Sequence, residues 1–265
     1  MNIGAIELSI LLPALLAGLL VLSTHVPMGQ QVLNRGIVFI DLAIAQVAGL
    51  GVTLASALGA EPQGWHVQLA ACSAALIGAL VLTWTEKKWP QVQEALIGVL
   101  FVLAACVELL LLANNPHGGE HLKDLLVGQI LWVHTPALIP IAVFYAAALG
   151  IWFFLRQRLG QIGFYVLFAL VVTQSVQLVG VYLVFASLIV PALASRRFTP
   201  KLRLGVGYAV GLVGYVAGLV VSSVFDLPTG AAIVVTLVAS FVVAIIASLA
   251  VPVSLRAELE PAPTH

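Results

Sequence analysis

Hydrophobic residues in this chain come in long, nearly unbroken runs, and polar residues cluster in the short stretches between them. The runs fall at about 8–24, 36–59, 67–84, 95–113, 134–155, 162–177, 179–195, 204–224 and 229–250. A helix needs about 20 apolar residues to cross the hydrocarbon layer. Most of these runs meet that length; 162–177 and 179–195 are short, so eight and nine spans both remain open. Barrel strands would alternate apolar and polar positions, and these runs do not. The pattern predicts an all-α fold, a polytopic transmembrane helical bundle, with residues 1–265 forming a single membrane domain.

Composition supports the same class. Apolar residues make up 62% of the chain and charged residues 8%. A water-soluble domain of this size would carry far more polar surface. Lys plus Arg number 11, as do Asp plus Glu, and no basic patch offers itself to nucleic acid. Cys72 and Cys106 both lie within apolar runs and read as small core side chains. The first run has no basic residue before it and is preceded by the acidic Glu7, unlike a secretory leader, so it reads as a membrane span.

Charge placement sets the orientation. With the N-terminus outside, Arg35, Lys87, Lys88, Arg156, Arg158, Arg196, Arg197, Lys201, Arg203 and Arg256 share one side, and Lys123 alone lies on the other. That asymmetry makes the crowded side, and with it the C-terminus, cytoplasmic. Trp65 and Trp132 then mark outer helix ends, and Trp84, Trp89 and Trp152 inner ends. In the run 204–224, Gly207, Gly211, Gly214 and Gly218 share one helical face, which predicts a close helix contact within the subunit or across a dimer.

Ionisable groups inside a bilayer are costly and become functional candidates. Two fall within the predicted spans, Asp41 and Glu108. Each either lies on a transport path or reaches the interface or a local polar partner. Gln46 stands five residues after Asp41, about 140° around an ideal helix, so the pair converges only with partners from other helices. Gln174 and Gln177 share a face beside Thr173 and Ser175 and predict an interior or cavity-facing stripe, used either for hydrogen bonding between helices or for transport. The outer segment Asn114–Asp124 contains His117, Glu120, His121 and Asp124, which would share a face if helical. Imidazole with carboxylate suits zinc or manganese. Pro116 and the Gly118–Gly119 pair argue against helix at its start, and the alternative is a solvated loop. A phosphate-binding loop ending in Gly-Lys-Ser/Thr, a His-Glu-x-x-His helix and an intramembrane serine–histidine pair are all missing from the sequence, which disfavours an enzyme.

Four ordered segments resemble one family. They are LNRGIVFIDLAIAQVAGLGVTLA (33–55), DLLVGQILWV (124–133), VQLVGVYLVFASLIVPALASR (176–196) and DLPTGAAIVV (226–235). The chain is similar to the membrane permeases of zinc, manganese and iron ABC importers. That resemblance implies an all-helical permease of the bacterial cytoplasmic (inner) membrane that forms a homodimer. It also implies two cytoplasmic ABC ATPase subunits and an extracytoplasmic metal-binding protein as partners. The transported ion, Zn2+ by preference because of the outer histidines, would be cargo, with no cofactor bound by this chain. Many members carry an Asp-x-x-x-His pair in the second helix; here Leu42 and Gln46 occupy those positions and Asp41 stands one residue earlier. Members also carry a longer cytoplasmic segment before the sixth span, where this chain has LRQRLGQIGF (155–164); Arg156, Arg158 and Gln161 are the coupling candidates there. The rival classes are a proton-coupled secondary transporter and a non-transporting membrane scaffold or receptor.

Overall fold

The computed structural model describes residues 8–60, 64–113, 118–133 and 135–250. Its described residues are helical nearly throughout, as lipid requires, because a helix satisfies its own backbone groups where no water can. The elements are α1 (Leu8–Arg35), α2 (Ile40–Ala57), α3 (Trp65–Lys88), α4 (Gln93–Leu112), α5 (Gly118–Val127), α6 (Thr135–Val179), α7 (Val181–Ser195), α8 (Pro200–Phe225) and α9 (Thr229–Ala250). Gly160, at φ +59° and ψ −160°, breaks α6 into two limbs, Thr135–Leu155 and Gly160–Val179. Eight stretches, the two limbs included, are long and apolar enough to cross a bilayer, while α7 has 15 residues.

These bounds follow the apolar runs closely, with two differences. The first run was expected to stop near residue 24, yet α1 continues through Pro27 to Arg35. His25 and Thr24, which look like a polar boundary, are buried: Thr24 Oγ1 donates to the Val21 carbonyl, 3.1 Å away, and the His25 ring bonds the same carbonyl at 2.9 Å. The second difference is α5, which is helical from Gly118 onward despite the glycine pair.

The chain divides into two compact units, each described by itself. The first takes in the chain up to Asn34, Gln129–Ala142 and the chain from Tyr182. Its core is the glycine face of α8. A Cβ on Gly207 would lie 2.8 Å from Val26, and one on Gly211 would lie 2.7 Å from Leu22, both on α1. One on Gly214 would press on Leu237, and one on Gly218 on the backbone of Ile233, both on α9. The predicted close contact is thus made within the subunit, with α8 seated between α1 and α9. Tyr208 Oη donates to the Ser23 carbonyl at 2.9 Å, and the Tyr215 hydroxyl meets Ser187 of α7 at 2.8 Å.

The second unit takes in Arg35–Gly128 and Val143–Val181. Here α2 packs against both α3 and α4. It is the enclosed helix of the group, with 67% of its span buried against 22% for α4. Gly51 lets α2 approach the α3 backbone, since a Cβ there would lie 2.7 Å from the Ala70 carbonyl oxygen. At the end of α5, Gly128 meets the backbone of Val179 and Gly180, and both glycines have positive φ. Any side chain at either position would collide with the other segment.

Exposed Leu, Val and Phe side chains cover the outside, as a lipid-facing surface requires. Trp65, Trp84, Trp89 and Trp132 are exposed, as interfacial anchors must be. Trp152 is not: it is 4% exposed and packs on the Phe164 ring, with centroids 5.9 Å apart.

Candidate functional site

Two polar residues and a glycine of the second unit line one side of α2. Gln46, Gly49 and Thr53 follow at intervals of three and four, so they form a single stripe on that helix. Glu108 of α4 lies across from the stripe and is 1% exposed. Gln46 Nε2 donates to Glu108 Oε2 in a short hydrogen bond. Thr53 Oγ1 donates to Glu108 Oε1 at 2.8 Å. Between them, Gly49 stands beside the carboxylate: a Cβ there would lie 3.6 and 3.7 Å from its two oxygens and 3.8 Å from Leu125 of α5. A buried carboxylate is therefore bonded by an amide of its neighbour helix α2 and by a hydroxyl of that same helix, with Gly49 beside it.

Near Gly49 the station adjoins α5, and a second polar contact lies elsewhere in the unit. Gln68 Nε2 of α3 donates to Gln174 Oε1 of α6 at 3.4 Å. Gln177, one turn on, is exposed, so the two glutamines do not form one interior stripe. Thr173 bonds the Ala169 carbonyl at 2.8 Å, and Ser175 bonds both the Val171 carbonyl at 2.7 Å and the Tyr145 hydroxyl at 2.5 Å. These hydroxyls are spent inside the bundle.

Asp41 sits at the opposite end of α2 from Thr53, in the first turn, and is 1% exposed. It does not join Gln46; the helical offset keeps them apart, and Gln46 takes Glu108 as its partner. Among the outer candidates, His117 lies outside the described residues. Glu120 and His121 belong to α5, though only their backbone is described. At the α6 break, Arg158 is exposed and Gln161 partly so, while Arg156 is described in its backbone only. Among the described residues no three His, Cys, Asp or Glu side chains gather as a metal cage.

Sequence reasoning missed three features. His25, a fully buried imidazole in α1, was hidden because the apolar run was ended one residue too early. Thr53 lacked any signal beyond its place seven residues after Gln46. Glu94 falls outside the predicted spans, yet its Oε1 accepts the Phe39 N–H at 3.2 Å and ties α4 to the start of α2.

The fold and its site define an α-helical membrane protein with a desolvated carboxylate inside a helix bundle, the kind of group a bilayer tolerates in transport proteins. A model of the ABC 3 transport family matches residues 7–165 and 155–248. The chain belongs to that family, and its sequence places it among the membrane permeases of metal-ion ABC transporters. It is 24% identical over 247 residues to the high-affinity zinc uptake system membrane protein ZnuB of Haemophilus influenzae, covering 85% of this chain and 93% of that protein. It is 28% identical over 247 residues to the manganese transport system membrane protein MntC of Halalkalibacterium halodurans, covering 85% and 83%. Among solved structures, PsaBC from Streptococcus pneumoniae in complex with Fab shares the fold, with a TM-score of 0.72 and 22% identity over 91% of this chain and 92% of that one.

Proposed function

We propose that this chain is the transmembrane permease subunit of an ATP-driven importer for a divalent transition-metal ion, with zinc favoured over manganese and iron. The observation that carries the reading is the Glu108 carboxylate, buried inside the bundle, bonded by Gln46 and Thr53 and bordered by Gly49. A single buried carboxylate attracts a dication but does not cage it, which suits transit better than storage. Gln46 and Thr53 orient the carboxylate, Gly49 leaves room for an ion to approach, and Asp41 continues the acidic path toward the other end of α2.

The sequence contains no phosphate-binding loop, so energy would come from separate cytoplasmic ATPase subunits docking near Arg156, Arg158 and Gln161. An extracytoplasmic metal-binding protein would deliver the ion on the side of α5, where His117, Glu120 and His121 are the capture candidates. The working unit would be a homodimer in the bacterial inner membrane, with the N-terminus outside. Preference for zinc rests on the outer imidazoles and on the likeness to a zinc-uptake membrane protein.

The test is uptake of zinc and manganese into vesicles that contain this chain and its ATPase. Uptake is expected to require ATP and to favour zinc. Uptake driven by a proton gradient without any ATPase would instead establish a secondary transporter and defeat the proposal.

A further inference from the structure

The end of the second unit opposite Thr53 holds acidic groups that the Glu108 station does not use. Asp41 is 1% exposed, and neither of its carboxylate oxygens has a hydrogen-bond partner among the described residues. Glu94 reaches the same helix end from the first turn of α4. Its Oε1 accepts the Phe39 N–H at 3.2 Å and so caps α2, whose own N-cap residue makes no side-chain cap. Its Oε2 is buried and also lacks a partner among the described residues. Both carboxyl groups thus belong to the start of α2, Glu94 through its bond to the Phe39 N–H, two residues before Asp41.

Carboxyl oxygens taken out of water have lost the donors that water supplied, and a charge held there without compensation is costly. Three such oxygens, both of Asp41 and Oε2 of Glu94, gather at this helix end. A cation beside them would supply the compensation that burial removed.

We infer that Asp41 and Glu94 form a second, inner station for a divalent cation, with Glu94 supplying a ligand and holding the end of α2 in position. The station lies eight residues along α2 from Gly49, about 12 Å at 1.5 Å per residue. Carboxylate oxygens suit Mn2+, Fe2+ and Zn2+. With two side-chain ligands, water completes the ion's shell and the ion stays exchangeable. Glu94 is partly exposed, so the station has a face from which an ion can leave. The inference rests on the permease reading and adds Glu94 to it.

The experiment measures Mn2+ binding to the purified full chain in detergent, with free Mn2+ read by electron paramagnetic resonance. Glu94→Gln keeps an oxygen for the Phe39 N–H, so the cap on α2 survives while the charge is lost. Both Glu94→Gln and Asp41→Asn are expected to bind one fewer Mn2+ per chain than wild type, with the remaining site unchanged. Glu94→Asp, which retains the charge, is expected to retain the ion at reduced affinity. Wild-type stoichiometry and affinity in both Glu94→Gln and Asp41→Asn would overturn the inner station. Uptake by the wild-type chain with its ATPase is measured alongside. Intact divalent-metal uptake with unaltered binding in the variants defeats the station alone, whereas a wild-type chain that moves no divalent metal defeats the permease reading.

Discussion

Replacing Glu108 by Gln tests the transport site with little change of shape. The amide fits the same space, and the Thr53 hydroxyl, 2.8 Å away, can still donate to its oxygen. Gln46 can turn its own amide to accept from the new NH2, so neither Gln46 nor Thr53 need be orphaned. Protein level and detergent melting temperature should therefore stay close to wild type. The electrostatic loss is large by comparison. A carboxylate and a dication about 4 Å apart attract by roughly 8 kcal/mol at an effective dielectric of about 20, before desolvation. Desolvation consumes most of that. If even about 1.4 kcal/mol survives as net affinity, its removal is a tenfold effect. ATP-dependent zinc uptake in vesicles, normalised to protein amount, should fall at least about tenfold. Uptake at the wild-type level with equal protein would refute the placing of Glu108 on the ion path.

Further predictions concern the neighbouring geometry. Gly49→Ala sets a methyl at ordinary contact distance from both Glu108 oxygens, so the chain should fold normally and uptake should drop; unchanged uptake would mean that the ion does not approach from that side. Gly218→Ala drives a methyl into the Ile233 backbone and should cost about 1–3 kcal/mol in overpacking. Gly211→Ala meets only the flexible end of Leu22 and should cost less, so equal melting losses in detergent would contradict this account of the α8 seam. In a Cys72→Ala, Cys106→Ala background, Lys123→Cys should react with an impermeant thiol reagent added outside, and Arg197→Cys only after permeabilisation. The reverse labelling would invert the proposed topology.

The site was half legible in the chain. Asp41 and Glu108 stand out because a carboxylate inside an apolar run is rare and costly. Their partners do not stand out, since Gln, Thr and Gly are ordinary in membrane helices. Thr53 acquires its role only when α4 brings Glu108 alongside it. Trp152 shows the reverse error: an aromatic residue near a helix end reads as an anchor, but packing on Phe164 buries it. Gln174 and Gln177 share a helical face by spacing, yet the neighbouring helix covers one and leaves the other exposed.

The amino-acid sequence by itself determined the helices, their membrane setting and the family. Those follow from the length of apolar runs, the scarcity of charge and short ordered motifs, all of them local along the chain. Tertiary structure decided which polar residues meet. Glu108 with Gln46 and Thr53, Glu94 with the start of α2, and the α8 glycines with α1 and α9 are all contacts between segments distant in sequence. Periodicity reports which face of a helix a residue occupies. It carries no information about which helix will come to lie against that face, and there the carboxylate finds its donors.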